Sequence, residues 1–448
     1  MRNALVFLLI ALCRTAFGQA EPLTLSQAVA VALERNPQRK AAMAEIRGAR
    51  AGVREAQSGY LPRLSFSETA VRSNDPVFVF GTKLRQDRFT SADFALNRLN
   101  TPTPVGNFAT RFSAQWNLFN SFATSFQVHQ ASRFEAAAKE RASRSDQLVT
   151  FRVIQAYYGV LLAARQLQVA EHAVATAQSV MEQGRARFES GSTVESDYLA
   201  AQADLAARQQ ELVQARNAVA LSKAELNIAM GIVPDHDYQT SDQTALPDWP
   251  TPALSDAEAR ALKERPDLKE AAAQVDARDF GVRAAKSAFG PKLNAFASSE
   301  LDNVTPFGNG GNNWTAGAEL QIDIFSGGEK SARLSRERAG LEQAQALKQL
   351  AEDKVRLDVR RAWYAYDTAR QIAKVTEAAA TQAEEALRIV NNRYQAGLTT
   401  ITEMLRAEDA ARTARNNHWE AIYRCRTTYA ALQLAMGELN SQSPVVTS

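Results

Sequence analysis

Long apolar runs are missing from this 448-residue sequence once its first residues are passed, and no later stretch holds 18 consecutive apolar residues. A bilayer-spanning helix needs about 20, so a membrane helix beyond the first residues is excluded. Cysteine is nearly absent, with Cys13 and Cys425 only. The four histidines, His129, His172, His236 and His418, stand far apart without metal-ligand spacing, and the methionines form no cluster. An excess of one charge is also lacking. The net charge is +3, with Lys and Arg scattered among Asp and Glu, which leaves no basic patch for nucleic acid. Ser326-Gly327-Gly328-Glu329-Lys330-Ser331 lacks the leading glycine of a phosphate loop and carries Glu329 where the second belongs. No constellation for catalysis, metal or cofactor is found, so the chain does not read as an enzyme.

The first residues, 1–20, read as a secretory signal peptide. Arg2 supplies the positive end, Ala4 to Leu12 the apolar run, and Gly18-Gln19-Ala20 the small-residue cleavage site. Cleavage removes Cys13 and leaves Cys425 alone, so no internal disulfide framework is expected. A lipid-anchor reading of Cys13 is the alternative, and Leu12 before it is larger than such sites want. If the exported protein enters a membrane, it does so as a β-barrel.

Asn313 to Phe325 is the first strand to stand out. Trp314, Ala316, Ala318, Leu320, Ile322 and Ile324 alternate with Thr315, Gly317, Glu319, Gln321 and Asp323, the period of a strand with one apolar and one polar face. Its length suits a tilted membrane strand, which takes about 9–11 residues; a soluble sandwich strand alternates in the same way. Three more strands resemble it. Leu64, Phe66 and Ala70 oppose Arg63, Ser65, Ser67 and Thr69. Phe108, Phe112, Ala114, Trp116 and Leu118 oppose Arg111, Ser113, Gln115 and Asn117. The last covers Lys292–Leu301.

The chain is duplicated. Leu25-Ser26-Gln27-Ala28, Asn36-Pro37 and Pro62 return as Leu254-Ser255-Asp256-Ala257, Arg265-Pro266 and Pro291, 229 residues later (25 to 254). Beyond the strands, Phe119, Ala156-Tyr157-Tyr158, Arg187…Gly191 and Met230-Gly231 return as Phe325, Ala362-Trp363-Tyr364, Arg393…Gly397 and Met436-Gly437, 206 residues later (119 to 325). The first copy is therefore longer by the difference, 23 residues, within a loop from Ser73 to about Asn107. The division expected is a signal peptide at 1–20, a first repeat at 21–231, a linker at 232–252, a second repeat at 253–437 and a poorly ordered tail at 438–448. Each repeat reads helix–strand–strand–helix–helix, its first helix covering Leu25–Ser58 or Ser255–Ala288. From Phe122 to Phe188 no proline intervenes, and a continuous helix there would be about 100 Å long. Leu205, Leu212, Val219 and Leu226 recur every seven residues beside Ala201, Ala215 and Ser222, as in a coiled coil between close neighbours or in a soluble helical hairpin.

Four strands cannot close a barrel, since the smallest outer-membrane barrels have about 8. Membrane strands here would have to be pooled by several chains. On the duplicated plan, and on the paired turns Arg187-Phe188-Glu189-Ser190-Gly191…Asp197-Tyr198-Leu199 and Arg393-Tyr394-Gln395-Ala396-Gly397…Glu403-Met404-Leu405, the chain resembles the TolC-type outer-membrane efflux proteins. The resemblance implies a mixed α and β membrane protein: a homotrimer with a 12-strand β-barrel in outer-membrane lipid and a periplasmic helical barrel. It implies a periplasmic adaptor and an inner-membrane transporter as partners, and no cofactor. It places Arg187, Gly191, Ser192, Arg393, Gly397 and Thr399 at adaptor-contacting tips, and Asp197 and Glu403 at a gate. Arg406 departs from the family pattern and is read as an i,i+3 partner for Glu403. Arg111, Gln115, Glu319, Gln321 and Asp323 are expected in the barrel lumen. The competing reading is a soluble periplasmic helical-bundle scaffold or adaptor.

Overall fold

The computed structural model describes residues 22–241 and 248–447; the signal-peptide segment and Cys13 lie outside them. α1 (Leu25–Arg35) opens with a capping box, Thr24 accepting from the Gln27 amide while the Gln27 side chain accepts from Thr24. α2 follows at Pro37–Gln57. The single helix expected over Leu25–Ser58 is thus two. Asn36 takes an extended ψ of 128° because the Pro37 ring bars its predecessor from the helical region. The second repeat breaks at the matching place, where Arg265 (ψ 124°) precedes Pro266. It separates α7 (Leu254–Glu264) from α8 (Pro266–Ser287).

The described chain forms two compact units. One joins residues up to Ala44 with Glu140–Lys269 and Leu350 onward; the other comprises Glu45–Lys139 and Glu270–Gln349. The second unit holds an antiparallel sheet in the order β1 (Arg63–Ser73), β2 (Val105–Phe119), β3 (Lys292–Asn303), β4 (Gly311–Gln321). β4 ends four residues earlier than its alternation predicts. Gln321 pairs with Lys292, and the next partner would be Pro291, which has no N–H to give. Ile324 is accordingly 97% exposed. The loop expected between β1 and β2 is also folded, with α3 (Pro76–Arg85) and α4 (Leu96–Asn100) inside it. Asp75-Pro76 is a helix start rather than a turn, since the Asp75 side chain accepts from the Phe78 amide at 2.7 Å and Pro76 takes the first helical position.

Two helix pairs complete the repeats: α5 (Ala123–Glu189) with α6 (Glu195–Met230), and α9 (Glu329–Gln395) with α10 (Ile401–Met436). Each pair has 67 and then 36 residues, so the two long-helix pairs match in length. Leu205, Leu212, Val219 and Leu226 are all at least half-buried. The core of the first unit gathers Val29, Val153, Ile154, Leu226, Tyr366 and Leu432, with Trp249 from the linker stacked on Tyr429 at 4.5 Å. The tail is ordered, against expectation. Leu439, Val445 and Val446 are buried in that core, the last two on α11 (Pro444–Thr447). Three apolar residues are too few to make a periodicity that a sequence can show. Among the described residues no helix is long and apolar enough to cross a membrane.

Candidate functional site

The two long-helix turns are built alike. α5 ends where the Gly191 amide bonds the Phe188 carbonyl (2.9 Å) and the Ser192 amide the Arg187 carbonyl (2.8 Å). α9 ends the same way, Gly397 to Tyr394 (3.1 Å) and Leu398 to Arg393 (2.8 Å). Both glycines hold the left-handed conformation this motif requires, at φ 73° and 72°. The Ser192 hydroxyl bonds that of Ser190 (3.0 Å). Each return helix then starts with an acid at its third position. The Thr193 hydroxyl donates to Asp197 at 2.8 Å, and the Thr399 hydroxyl donates to Glu403. The pair expected between Glu403 and Arg406 is not formed; Arg406 is exposed, and no ion pair joins the two among the described residues. The reason is local. A carboxylate in the first turn is drawn back to the positive helix N-terminus, where Thr399 already waits, and Arg406 lies a turn in the other direction.

The turns are joined to each other. Arg187 Nη1 donates to the Tyr394 carbonyl and Nη2 to the Gln395 carbonyl, both at 3.4 Å, and its guanidinium lies 4.8 Å from the centre of the Tyr394 ring. Under that ring Val180, Ala201, Ile401 and Met404 are buried. Further along, Arg208 of α6 pairs with Asp204 (2.9 Å) and reaches Asp409 of α10 (3.5 Å), while Arg412 of α10 reaches back to Glu211 (3.2 Å). Burial works against the charge of Arg208, but Asp204 and Glu211 outweigh it and raise its pKa. Burial pushes the neighbouring Glu408 carboxyl up. No sequence signal marked this network, because its members meet across two repeats.

In the sheet, register fixes the faces. Arg111 stands opposite Ser67 and Glu300, Gln115 opposite Arg63 and Phe296, Glu319 opposite Asn294, and Gln321 opposite Lys292. Directly paired residues share a face, and counting by twos along β2 and β4 puts all four expected lumen residues on the same one. Asp323 departs from the expectation. It lies past the end of β4 and is held by Lys330 (3.1 Å) and Gln321 (2.8 Å). The opposite face carries Leu64, Phe66, Phe112, Trp116, Trp314 and Leu320, with Leu64 79% and Trp314 77% exposed. Neither face is pure: Val71 and Phe296 lie on the polar one, and Glu68 and Arg72 on the apolar one. Phe296 lies on the polar face over Gly317, where a Cβ would stand 2.7 Å from its ring. Glu68 lies on the apolar face and accepts from the Thr110 hydroxyl at 2.5 Å.

The inserted segment closes over the polar face at the β1–β2 and β3–β4 hairpin ends. Arg85 at the end of α3 pairs with Glu300 (3.4 Å), which also takes Arg111. Gln86 donates to Asn107 (2.8 Å), and Asn107 donates to the fully buried Asp302 (2.5 Å), which Asn313 also reaches (3.2 Å). Within the segment, Lys83 bonds Asp93 at 2.7 Å. That ammonium, helped by Thr90, holds the Asp93 carboxyl down at about 2. Among the described residues no group of three or more His, Cys, Asp or Glu is placed to hold a metal ion.

Comparison with known proteins agrees with this geometry. The family model described as outer membrane efflux protein matches residues 28–232 and 259–438. The outer membrane efflux protein BepC of Brucella suis biovar 1 is 26% identical over 351 residues, 77% of this chain and 76% of its own. The alkaline protease secretion protein AprF of Pseudomonas aeruginosa is 25% identical, with 98% of this chain and 90% of its own covered. The fold is that of the Campylobacter jejuni CmeC outer membrane channel, with a TM-score of 0.78 at 18% identity over 94% of this chain and 87% of that one.

Proposed function

Because the chain belongs to the outer membrane efflux protein family, we propose that it is the outer-membrane exit duct of a tripartite efflux or secretion system. The observation that carries this is the sheet. Four strands of 11 to 15 residues have one polar face, one exposed apolar face, and two outer strands without a further neighbour among the described residues. Edge groups left unpaired in lipid cost several kcal/mol each, so three chains pool twelve strands into one closed barrel. Lipid covers Leu64, Trp314 and Leu320. Arg111, Gln115, Glu319 and Gln321 line the water-filled lumen, with Asp323 at the rim, and the α3 segment narrows its outer mouth.

The helices extend into the periplasm, and the turns at Gly191 and Gly397 form their tips. There Ser192 and Thr399 face the adaptor at the turns that carry Arg187 and Arg393, and Asp197, Glu403 and Arg406 lie where three chains converge when the duct is shut. Conduction is passive and uses no cofactor; an inner-membrane transporter supplies cargo and energy. One relative is named for efflux and another for protease secretion, which supports a duct whose cargo is chosen by its transporter.

The test is fractionation followed by conductance. The exported protein should partition with the outer membrane as a heat-resistant trimer and form pores in planar bilayers. A folded, soluble monomer in the periplasm would instead establish the scaffold reading.

A further inference from the structure

The joint between the two turns is one-sided within the chain. Arg187 reaches the last carbonyls of α9 and covers Tyr394, which is only 7% exposed. Arg393 occupies the same place 206 residues later (187 to 393), yet it is exposed and none of the described residues pairs with it. The receiving half is also duplicated. Phe188 and Glu189 are the counterparts of Tyr394 and Gln395. The Phe188 carbonyl takes the Gly191 amide, as the Tyr394 carbonyl takes Gly397. Phe188 is 39% exposed and stacks on Tyr198 at 6.0 Å with an interplanar angle of 8°, so the outer face of its ring is bare where the Tyr394 ring is covered by a guanidinium.

We propose that Arg393 of one copy docks on the α5 end of a second copy, stacking on Phe188 and donating to the Phe188 and Glu189 carbonyls. The occupant is another copy of this chain because the contact already exists inside the chain in its other register. A joint from first repeat to second, continued from second repeat to the next copy's first, is head-to-tail and forms a ring when the rotation closes. The chemistry suits arginine. Its planar fork spans two carbonyls and stacks on an aromatic ring, as an ammonium cannot, and the C-terminal end of a helix attracts positive charge. The inference rests on the trimeric duct proposed above and adds which residues hold its tips together.

Two measurements test it on the full-length protein purified from the outer membrane. In a Cys425→Ala background, Arg393→Cys combined with Glu189→Cys should give covalent dimers and trimers with a short bismaleimide, and neither single variant should. Arg187→Cys with Gln395→Cys should consume its thiols without any gain in mass, because that joint is internal. Both Arg393 and Glu189 are exposed, so the substitutions leave the single-chain core intact. Second, Arg393→Glu should shift the closed-to-open ratio in planar bilayers by about tenfold, the combined effect of three charges reversed at helix C-termini, while Arg393→Lys keeps most of the closure. A heat-resistant trimer whose internal control reacts but whose Arg393–Glu189 pair does not would overturn the joint and leave the duct standing. Absence of any oligomer in the unsubstituted protein would defeat the duct and the joint together.

Discussion

The Cα of Arg265 lies where a side chain on Gly437 would have to go: a Cβ there would stand 2.9 Å from it. The first repeat has the same crossing, with Gly231 against Asn36 at 2.7 Å. In both, the residue before the proline also donates to a nearby helix-end carbonyl, Asn36 to Ala229 (2.9 Å) and Arg265 to Ala435 (3.5 Å). These junctions bind the short first helices to the ends of α6 and α10.

Alanine at Gly437 or Gly231 should therefore destabilise the protein by more than alanine at Gly191. All three glycines sit at positive φ, which costs a residue with a Cβ about 1–2 kcal/mol. Only the junction glycines add overpacking, about 1–3 kcal/mol, since Gly191 faces open space. The temperature at which the heat-resistant oligomer dissociates measures the difference, and equal losses at Gly191 and Gly437 would contradict it.

Adjacent residues of β4 should differ sharply in their tolerance of arginine. Ala316 is on the apolar face and Thr315 on the polar face, at the same depth. A lipid-facing arginine near the midplane costs about 2–4 kcal/mol and a lumen-facing one much less. Assembly yield in the outer membrane should fall for Ala316→Arg and stay near normal for Thr315→Arg. The reverse order would turn the sheet inside out.

The α3 segment should resist acid until Asp93 is protonated. Its carboxyl is held at about 2 against an ordinary 3.8. A depressed folded value means that the stabilisation is present above 3.8 and is lost as the pH falls through about 2. Lys83→Met removes the largest cause and returns the carboxyl toward 3.8, so pepsin at about pH 3 should cut the variant within residues 76–100 and spare the parent. Equal cleavage would show that the Lys83 ion pair does not hold the segment.

At the tips, Asp197→Ala with Glu403→Ala should raise the conductance of the purified trimer, and Arg406→Ala alone should do less, because Glu403 is engaged by Thr399 rather than by Arg406. If the two acids serve only to start their own helices, conductance stays constant while stability falls by about 0.5–2 kcal/mol, as for a lost helix cap.

The long helices, the four strands and the duplication were legible because each is a period or a recurrence. What escaped had a neighbour that decided it. The Asp75-Pro76 pair lies in the expected loop, and what makes it a helix start is the Phe78 amide, which donates to the Asp75 side chain. The spacing of Glu403 and Arg406 permits an ion pair in any helix, but at the third position Thr399 takes the carboxylate first. β4 stops where its partner strand reaches Pro291. The hydrogen bonds of Arg187 left no trace on their target, because they hold main-chain atoms.

That last feature bears on how such a protein changes over generations. Any residue at position 395 offers the same oxygen, provided the helix still ends there, whereas Tyr394 also gives its ring to the guanidinium. Drift or selection can therefore rewrite the exposed side chain at position 395, to suit a new binding partner for instance, without loosening the clasp. The arginine and the ring beneath it are held to their identity, and position 395 beside them is left free to evolve.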